Sequence, residues 1–181
     1  MSIKIYFDMD GVLADFDVAA THLSNGRTDL NNQTKLMTDD LRAAKIQRWQ
    51  RIERTERFWE DMPIVPNIKD LLQVAQQLGE IFVLTRVPSA KNFVAGDSYV
   101  SYIANAKKEW IAKNMSDFFP PENVIAICGA SGEKEALIKP TLDHILVDDR
   151  AGNVADWESA GGQGVVFQSV ARSITDLQNL L

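Results

Sequence analysis

Short apolar runs separated by helical patterns predict an α/β fold: a doubly wound, Rossmann-like parallel sheet with a small helical cap inserted after the first strand. Three observations carry this. The runs at 3–7, 80–84, 124–128, 144–147 and 164–167 are brief and mostly continuous in apolarity, as strands covered on both faces are. Helical periodicities stand between them, the alternation that right-handed crossovers produce. Residues 16–64 interrupt the alternation with two helix-like pieces, 16–24 and 38–59, and no convincing strand.

Taken in order, Ile3, Ile5 and Phe7 alternate with Lys4 and Tyr6 and lead into Asp8-Met9-Asp10-Gly11, a strand entering a loop. The first piece of the insertion is joined to the second by a polar linker, Asn25 to Lys35. Asn67 is placed to cap a helix carrying Ile68, Leu71, Val74 and Leu78, and Gly79 to stop it. Tyr99, Ile103, Ala106 and Trp110 share one helical face, as do Val154, Trp157 and Ala160. Ser173 with Asp176 resembles a capping box for a terminal helix. The predicted organisation is an α/β core of 1–15 and 65–181 with a cap of 16–64. In such sheets ligands bind beyond the carboxyl ends of the strands, where an insertion would cover them.

The 181 residues suit one domain, and 45% hydrophobic with 24% charged residues fits a soluble globular chain. No run approaches the roughly 18 apolar residues of a membrane span. Acidic residues near the start argue against a secretory signal. The single cysteine, Cys128, makes no internal disulfide or multi-cysteine zinc site and is expected as a small buried core residue. Together these fit the cytoplasm. A net charge of -6 argues against a nucleic-acid-coating protein, but not against a small phosphate ester offset by local cations or a metal.

The strongest chemical signal is Asp8 and Asp10, two residues apart where a strand ends, with period two turning both carboxylates to one side. Gly11 allows the turn. Two close carboxylates make best sense around a divalent cation. On a phosphate ester one would attack phosphorus while the other trades a proton with the leaving oxygen. Asp148-Asp149 follow another apolar run, which parallel strands bring to the same edge. Oxygen ligands select Mg2+ over zinc, and His22 and His144 form no metal pattern. Thr85-Arg86 end a strand with a hydroxyl, amides and a cation. Lys134 stands at a helix start, where an anion is favoured.

These four strand ends resemble the four motifs of the haloacid dehalogenase superfamily of mostly magnesium-dependent phosphatases. The 5′(3′)-deoxyribonucleotidase group is matched by Asp8-Met9-Asp10-Gly11-Val12-Leu13-Ala14-Asp15-Phe16, Pro63-Ile64-Val65-Pro66, Val83-Leu84-Thr85, Lys107-Lys108-Glu109-Trp110-Ile111 and Ile145-Leu146-Val147-Asp148-Asp149-Arg150. Residues 17–57 match poorly, and Arg86 stands where that group has serine. The resemblance implies Asp8 as nucleophile and Asp10 as general acid and then base, its backbone carbonyl on the metal. It implies Thr85 holding the phosphoryl group, Lys134 neutralising it, and Asp149 with Asp148 completing the Mg2+ shell. Phe16 would lie against a nucleobase with Trp59 assisting, and Lys107 near the phosphate. The substrate expected is a small phosphorylated molecule, a nucleotide first; another metabolite phosphate, a polynucleotide end, or non-catalytic phosphate binding are the alternatives.

Lys139 is the alternative to Lys134 as the third-motif lysine, with Lys134 preferred as nearer the strand end. Arg42, Lys45, Arg48, Arg51, Arg54 and Arg57 recur every third residue; against a period of 3.6 they wind around the helix, which favours a solvated face over a polynucleotide track. Arg150 and Asn153 are expected to tie the acidic loop to its helix. A monomer or a homodimer is equally compatible.

Overall fold

A computed structural model describes residues 2–24, 26, 30, 38–128 and 134–180. Five strands, β1 (Lys4–Phe7), β2 (Glu80–Arg86), β3 (Val124–Ile127), β4 (His144–Asp148) and β5 (Gln163–Val166), form one sheet in the order β3-β2-β1-β4-β5. Every neighbouring pair is parallel. The helices are α1 (Phe16–Leu23), α2 (Asp39–Arg54), α3 (Ile68–Leu78), α4 (Asp97–Asn114), α5 (Lys134–Ile138), α6 (Ala151–Ser159) and α7 (Val170–Leu180). The doubly wound α/β class is as predicted.

Period two decides which layer each strand residue joins. Ile5, Phe7, Ile81, Val83, Ile145 and Val147 face a core shared with Leu71 and Leu72 of α3, Ile103 and Trp110 of α4 and Leu177 of α7. Tyr6, Leu84 and Leu146 face the opposite layer with Trp157 of α6. Gly79 ends α3 by donating its N–H to Ala75 O. Its reason for being glycine is proximity: a Cβ there would collide with the backbone of Ile3. That close approach lets Glu80 N bond Ile3 O at 2.9 Å and start β2 beside β1.

Several local expectations change. Asn67 precedes α3 in a left-handed conformation without a side-chain cap bond. The terminal helix begins at Val170, a turn before the expected box, and Ser169 Oγ accepts from Arg172 N at 3.3 Å. Ser173 is buried inside α7 while Asp176 pairs with Arg172 at 2.9 Å, so apolar burial of that face set the start. The second insertion helix ends at Arg54 rather than 59, with Thr55 in extended conformation. Cys128 is exposed, not buried, because it lies one residue beyond the edge strand β3. The 129–133 loop and most of the Asn25 to Lys35 linker lie outside the described residues.

Candidate active site

The order of the strands places a crossover reversal between β1 and β4, where an open α/β sheet parts at its carboxyl edge. Asp8 follows β1 and Asp148 closes β4. Asp8 N bonds Val147 O at 2.9 Å, continuing the ladder, so the two acidic segments leave the sheet side by side.

Past Asp8 the chain turns tightly. Leu13 N and Ala14 N both reach Met9 O at 2.9 Å, and Gly11 N reaches Ala14 O at 2.8 Å. Gly11 has φ +84, and a Cβ there would stand 2.8 Å from Asp149 Oδ2. Glycine therefore permits the turn and leaves room for the second acidic pair. Asp15 then caps α1 by accepting from Val18 N at 3.0 Å.

Two buried lysines hold the carboxylates. Lys134, at the start of α5, lies 2.8 Å from Asp8 Oδ1 and 2.5 Å from Asp148 Oδ2. Lys107 of α4, with no exposure, donates to Asp10 Oδ2 at 2.7 Å, Thr85 Oγ1 at 2.9 Å and Arg86 O at 2.9 Å. An ammonium has three donors, so these bonds saturate it. Lys107, expected near the phosphate, spends its bonds on bracing Asp10, Thr85 and the Arg86 carbonyl.

The environments of the two leading carboxyls diverge. Burial pushes Asp8 up, but the charges of Lys134 and then Lys107 outweigh it and hold its pKa below the usual range. Burial also raises Asp10; Lys107 opposes this, the nearby Asp8 charge adds to it, and the result stays above the usual range. A close pair with one carboxyl kept ionised and the other inclined to hold a proton suits a nucleophile beside an acid.

Asp148, fully buried, accepts from Arg150 N at 2.9 Å and from Asn153 Nδ2 at 3.0 and 2.9 Å, the tie expected of those two residues. Asp149 is different. Its Oδ1 is buried without a hydrogen-bond partner, and burial, then the charges of Asp8 and Asp148, push its pKa up to about 8. One oxygen from each of Asp8, Asp148 and Asp149 lies within 4.8 Å of the others. An orphaned carboxylate oxygen among converging acidic groups, with four aspartates against two ammonium groups, fits a hard divalent cation.

A cavity of about 350 Å³ opens above this cluster. Asp8, Asp10, Arg86, Lys134 and Asp149 line it from the sheet side, and Phe16, Lys45, Arg48 and Trp49 line it from α1 and α2. Phe16, expected against a base, is among the lining residues. Trp59 is fully buried, stacked on Phe16 at 6.0 Å between ring centroids, and does not line the cavity. Lys139 is exposed, in a left-handed conformation after α5, and away from the lining; of the two candidate lysines Lys134 is the one at the cluster.

Sequence reasoning missed Lys45, Arg48 and Trp49. Arg48 sits 6% exposed, its guanidinium 5.7 Å from the ring centroids of both Phe16 and Trp49. The solvated-face expectation fails here because α2 packs on α1, where Arg51 also reaches Leu23 O at 2.7 Å. The tryptophan one place after Arg48 was the available signal, marking that side of α2 as covered.

No protein-family model matches the sequence, and no curated protein matches it. Solved structures do. The haloacid dehalogenase-like hydrolase SP0104 from Streptococcus pneumoniae superposes with TM-score 0.53 at 15% identity, over 99% of this chain and 90% of that one. A HAD-superfamily hydrolase from Ehrlichia chaffeensis gives 0.54 at 10% identity, over 99% and 98%. The fold is that of the HAD-like hydrolases. A mutant of CbbY from Rhodobacter sphaeroides in complex with xylulose-(1,5)bisphosphate superposes at 0.50 and 15% identity, over 91% and 85%. The sheet and the reversal between β1 and β4 thus follow that fold. Among the described residues, no helix is long and apolar enough to cross a membrane.

Proposed function

We propose that this protein is a magnesium-dependent phosphomonoesterase that works through an aspartyl-phosphate, with nucleoside monophosphates, deoxy forms included, as its substrate class. The observation that carries the reading is geometric: carboxylate oxygens of Asp8, Asp148 and Asp149 converge within 4.8 Å beside Lys134, and Asp149 Oδ1 is buried there without a hydrogen-bond partner. Magnesium would be held by Asp8 and Asp149, with Asp148 close by and the Asp10 carbonyl, and would supply charge neutralisation for the phosphoryl oxygens.

In the first half-reaction an ionised Asp8 oxygen bonds to phosphorus as the ester P–O bond breaks. The departing oxygen takes its electron pair and the proton of Asp10. In the second, Asp10 as a carboxylate takes a proton from water, whose oxygen attacks phosphorus and releases inorganic phosphate and free Asp8. Lys134 steadies Asp8 and offsets phosphoryl charge. Because Lys107 supplies the bond that Thr85 Oγ1 accepts, the Thr85 hydroxyl keeps its proton to donate to a phosphoryl oxygen. Residues 16–64 act as the cap, and Phe16 offers a ring face to a base.

A second reading, a phosphorylated sugar, draws on the CbbY complex. The test is phosphate release with and without Mg2+ from nucleoside 5′- and 3′-monophosphates, sugar phosphates and 3′-phosphorylated oligonucleotides. Nucleotide turnover lost in Asp8→Asn supports the proposal. An active Asp8→Asn protein overturns the nucleophile, and preference for sugar esters overturns the substrate class.

A further inference from the structure

The stretch between β2 and α4 leaves the sheet, forms part of the cavity wall and is then caught by the cap. Val87 N still bonds Ile127 O at 2.9 Å, so the chain departs in register with β3. Val87, Pro88, Ser89 and Asn92 line the cavity, together with Phe16 and Trp49 of the cap. A short 3-10 turn, Ala90–Asn92, separates the two polar lining residues, and the Ser89 side chain does not cap it.

What fixes this wall comes from α2. Phe93 packs on Trp49 at 5.7 Å between ring centroids and on Tyr99 at 4.8 Å, and the Tyr99 hydroxyl donates to Ile52 O at 3.2 Å. The next two residues stand out in solvent, Val94 being 79% exposed and Ala95 exposed as well. Apolar burial therefore does not hold them. Glu53 does: Val94 N donates to its Oε2 at 2.8 Å and Ala95 N to its Oε1 at 2.7 Å. A carboxylate that gives both oxygens to adjacent backbone N–H groups is a two-point clamp, and its charge strengthens each bond. Gly96 follows at φ +59, a conformation glycine takes at little cost, and α4 begins. Further along α4, Lys107 is bonded to Thr85 and Arg86 O at the end of β2. The two ends of the wall are thus tied to each other through the core, and its exposed part is tied to the cap.

We propose that Glu53 is a positioning residue: by clamping Val94 and Ala95 it sets the 87–92 wall so that Ser89 and Asn92 meet a neutral, hydrogen-bonding leaving group, a sugar hydroxyl or the amide edge of a base. This rests on the phosphatase reading above and deepens it, since it assigns selection of the leaving group to the loop after β2. A serine hydroxyl and an asparagine amide offer donors and acceptors without charge. They select among neutral groups and leave the phosphoryl chemistry to Asp8.

The test compares thymidine 5′-monophosphate with phenyl phosphate, whose ring bears no hydroxyl or amide. Glu53→Ala should raise KM for the nucleotide by about 5- to 20-fold, the worth of one or two neutral hydrogen bonds. Its kcat should stay within about twofold, and KM for phenyl phosphate should not move. Glu53→Gln keeps one acceptor oxygen and should fall between. Asn92→Ala should raise the nucleotide KM by a similar factor, and should add little in the Glu53→Ala protein because both changes remove the same contact. Amide hydrogen exchange at Val94 and Ala95 should quicken in Glu53→Ala without any substrate present. An equal rise in KM for both esters overturns the proposal, as does a loss confined to kcat or unchanged exchange at the two amides. Calorimetric titration of both compounds into Asp8→Asn, with and without Glu53→Ala, separates this from the parent reading. A nucleotide-selective loss of affinity, in a protein whose wild type releases no phosphate from any ester, would sink the phosphatase and leave the clamp standing. Brisk nucleotide hydrolysis that Glu53→Ala leaves untouched does the reverse, and binding of phenyl phosphate without the nucleotide overturns the leaving-group assignment.

Discussion

Gly11 and Asp149 touch: a β-carbon on Gly11 would stand 2.8 Å from Asp149 Oδ2 and 2.9 Å from its Cγ. The turn after the first strand and the acidic pair after the fourth were therefore fitted to each other. Gly11→Ala meets this contact and the strain of φ +84 together. It should cost roughly 1–3 kcal/mol in urea unfolding and weaken Mg2+ binding in the same preparation. Unchanged Mg2+ affinity in calorimetry would show that the turn and the cation cradle are independent.

Lys107 makes three bonds in full burial. Lys107→Met leaves Asp10 and Thr85 without their donor and should cost about 3–5 kcal/mol of stability, the usual penalty for breaking a buried ion pair. The proposed acid step should slow by about 10²–10⁴ in kcat. The measurement is steady-state hydrolysis beside denaturant unfolding. If kcat holds while KM rises, Lys107 binds substrate rather than positioning Asp10.

Asp149 predicts a cation effect that grows with pH. Its folded pKa of about 8 lies above its unfolded value, so without a cation the folded state holds a proton the unfolded chain has lost. This group's contribution to stability is present at low pH and drains away as pH rises from the ordinary carboxyl range through 8. Mg2+ relieves the ionised form, so its increment in Tm should be larger at pH 8.5 than at pH 6. Asp149→Asn should flatten that difference. An increment independent of pH in the unmodified protein would place the cation elsewhere.

Lys134 and Lys139 should part company on mutation. Lys134→Met strips a shared cation from buried Asp8 and Asp148 and should destabilise by about 3–5 kcal/mol while abolishing phosphate release. Lys139 is exposed, so Lys139→Ala should stay within about 0.5 kcal/mol of the parent. Comparable losses of turnover in both variants would contradict the assignment of Lys134.

The fold was readable because apolar runs such as Ile145-Leu146-Val147 have one stable home, a strand covered on both faces. Asp8, Asp10, Asp148 and Asp149 were readable because period two and parallel pairing bring them to one edge whatever the loops do. Trp59 misled because a large aromatic in a helical insertion reads alike whether it faces a ligand or, as here, supports Phe16. Cys128 misled because a run's last residue can lie just past its strand. Arg48 was missed because a three-residue spacing of cations says where charge is placed around a helix, not which side another helix will cover.

The sequence by itself determined the strands, their parallel sense and the acidic residues gathered at their carboxyl ends, since these follow from local periodicity and chain direction. Only the tertiary structure decided that Lys107 is sealed behind Asp10, that Lys134 bridges Asp8 and Asp148, and that Arg48 is buried in the cavity wall. Those outcomes depend on how side chains up to 97 residues apart meet in a low-dielectric interior, and partners that distant leave no spacing in the chain to read.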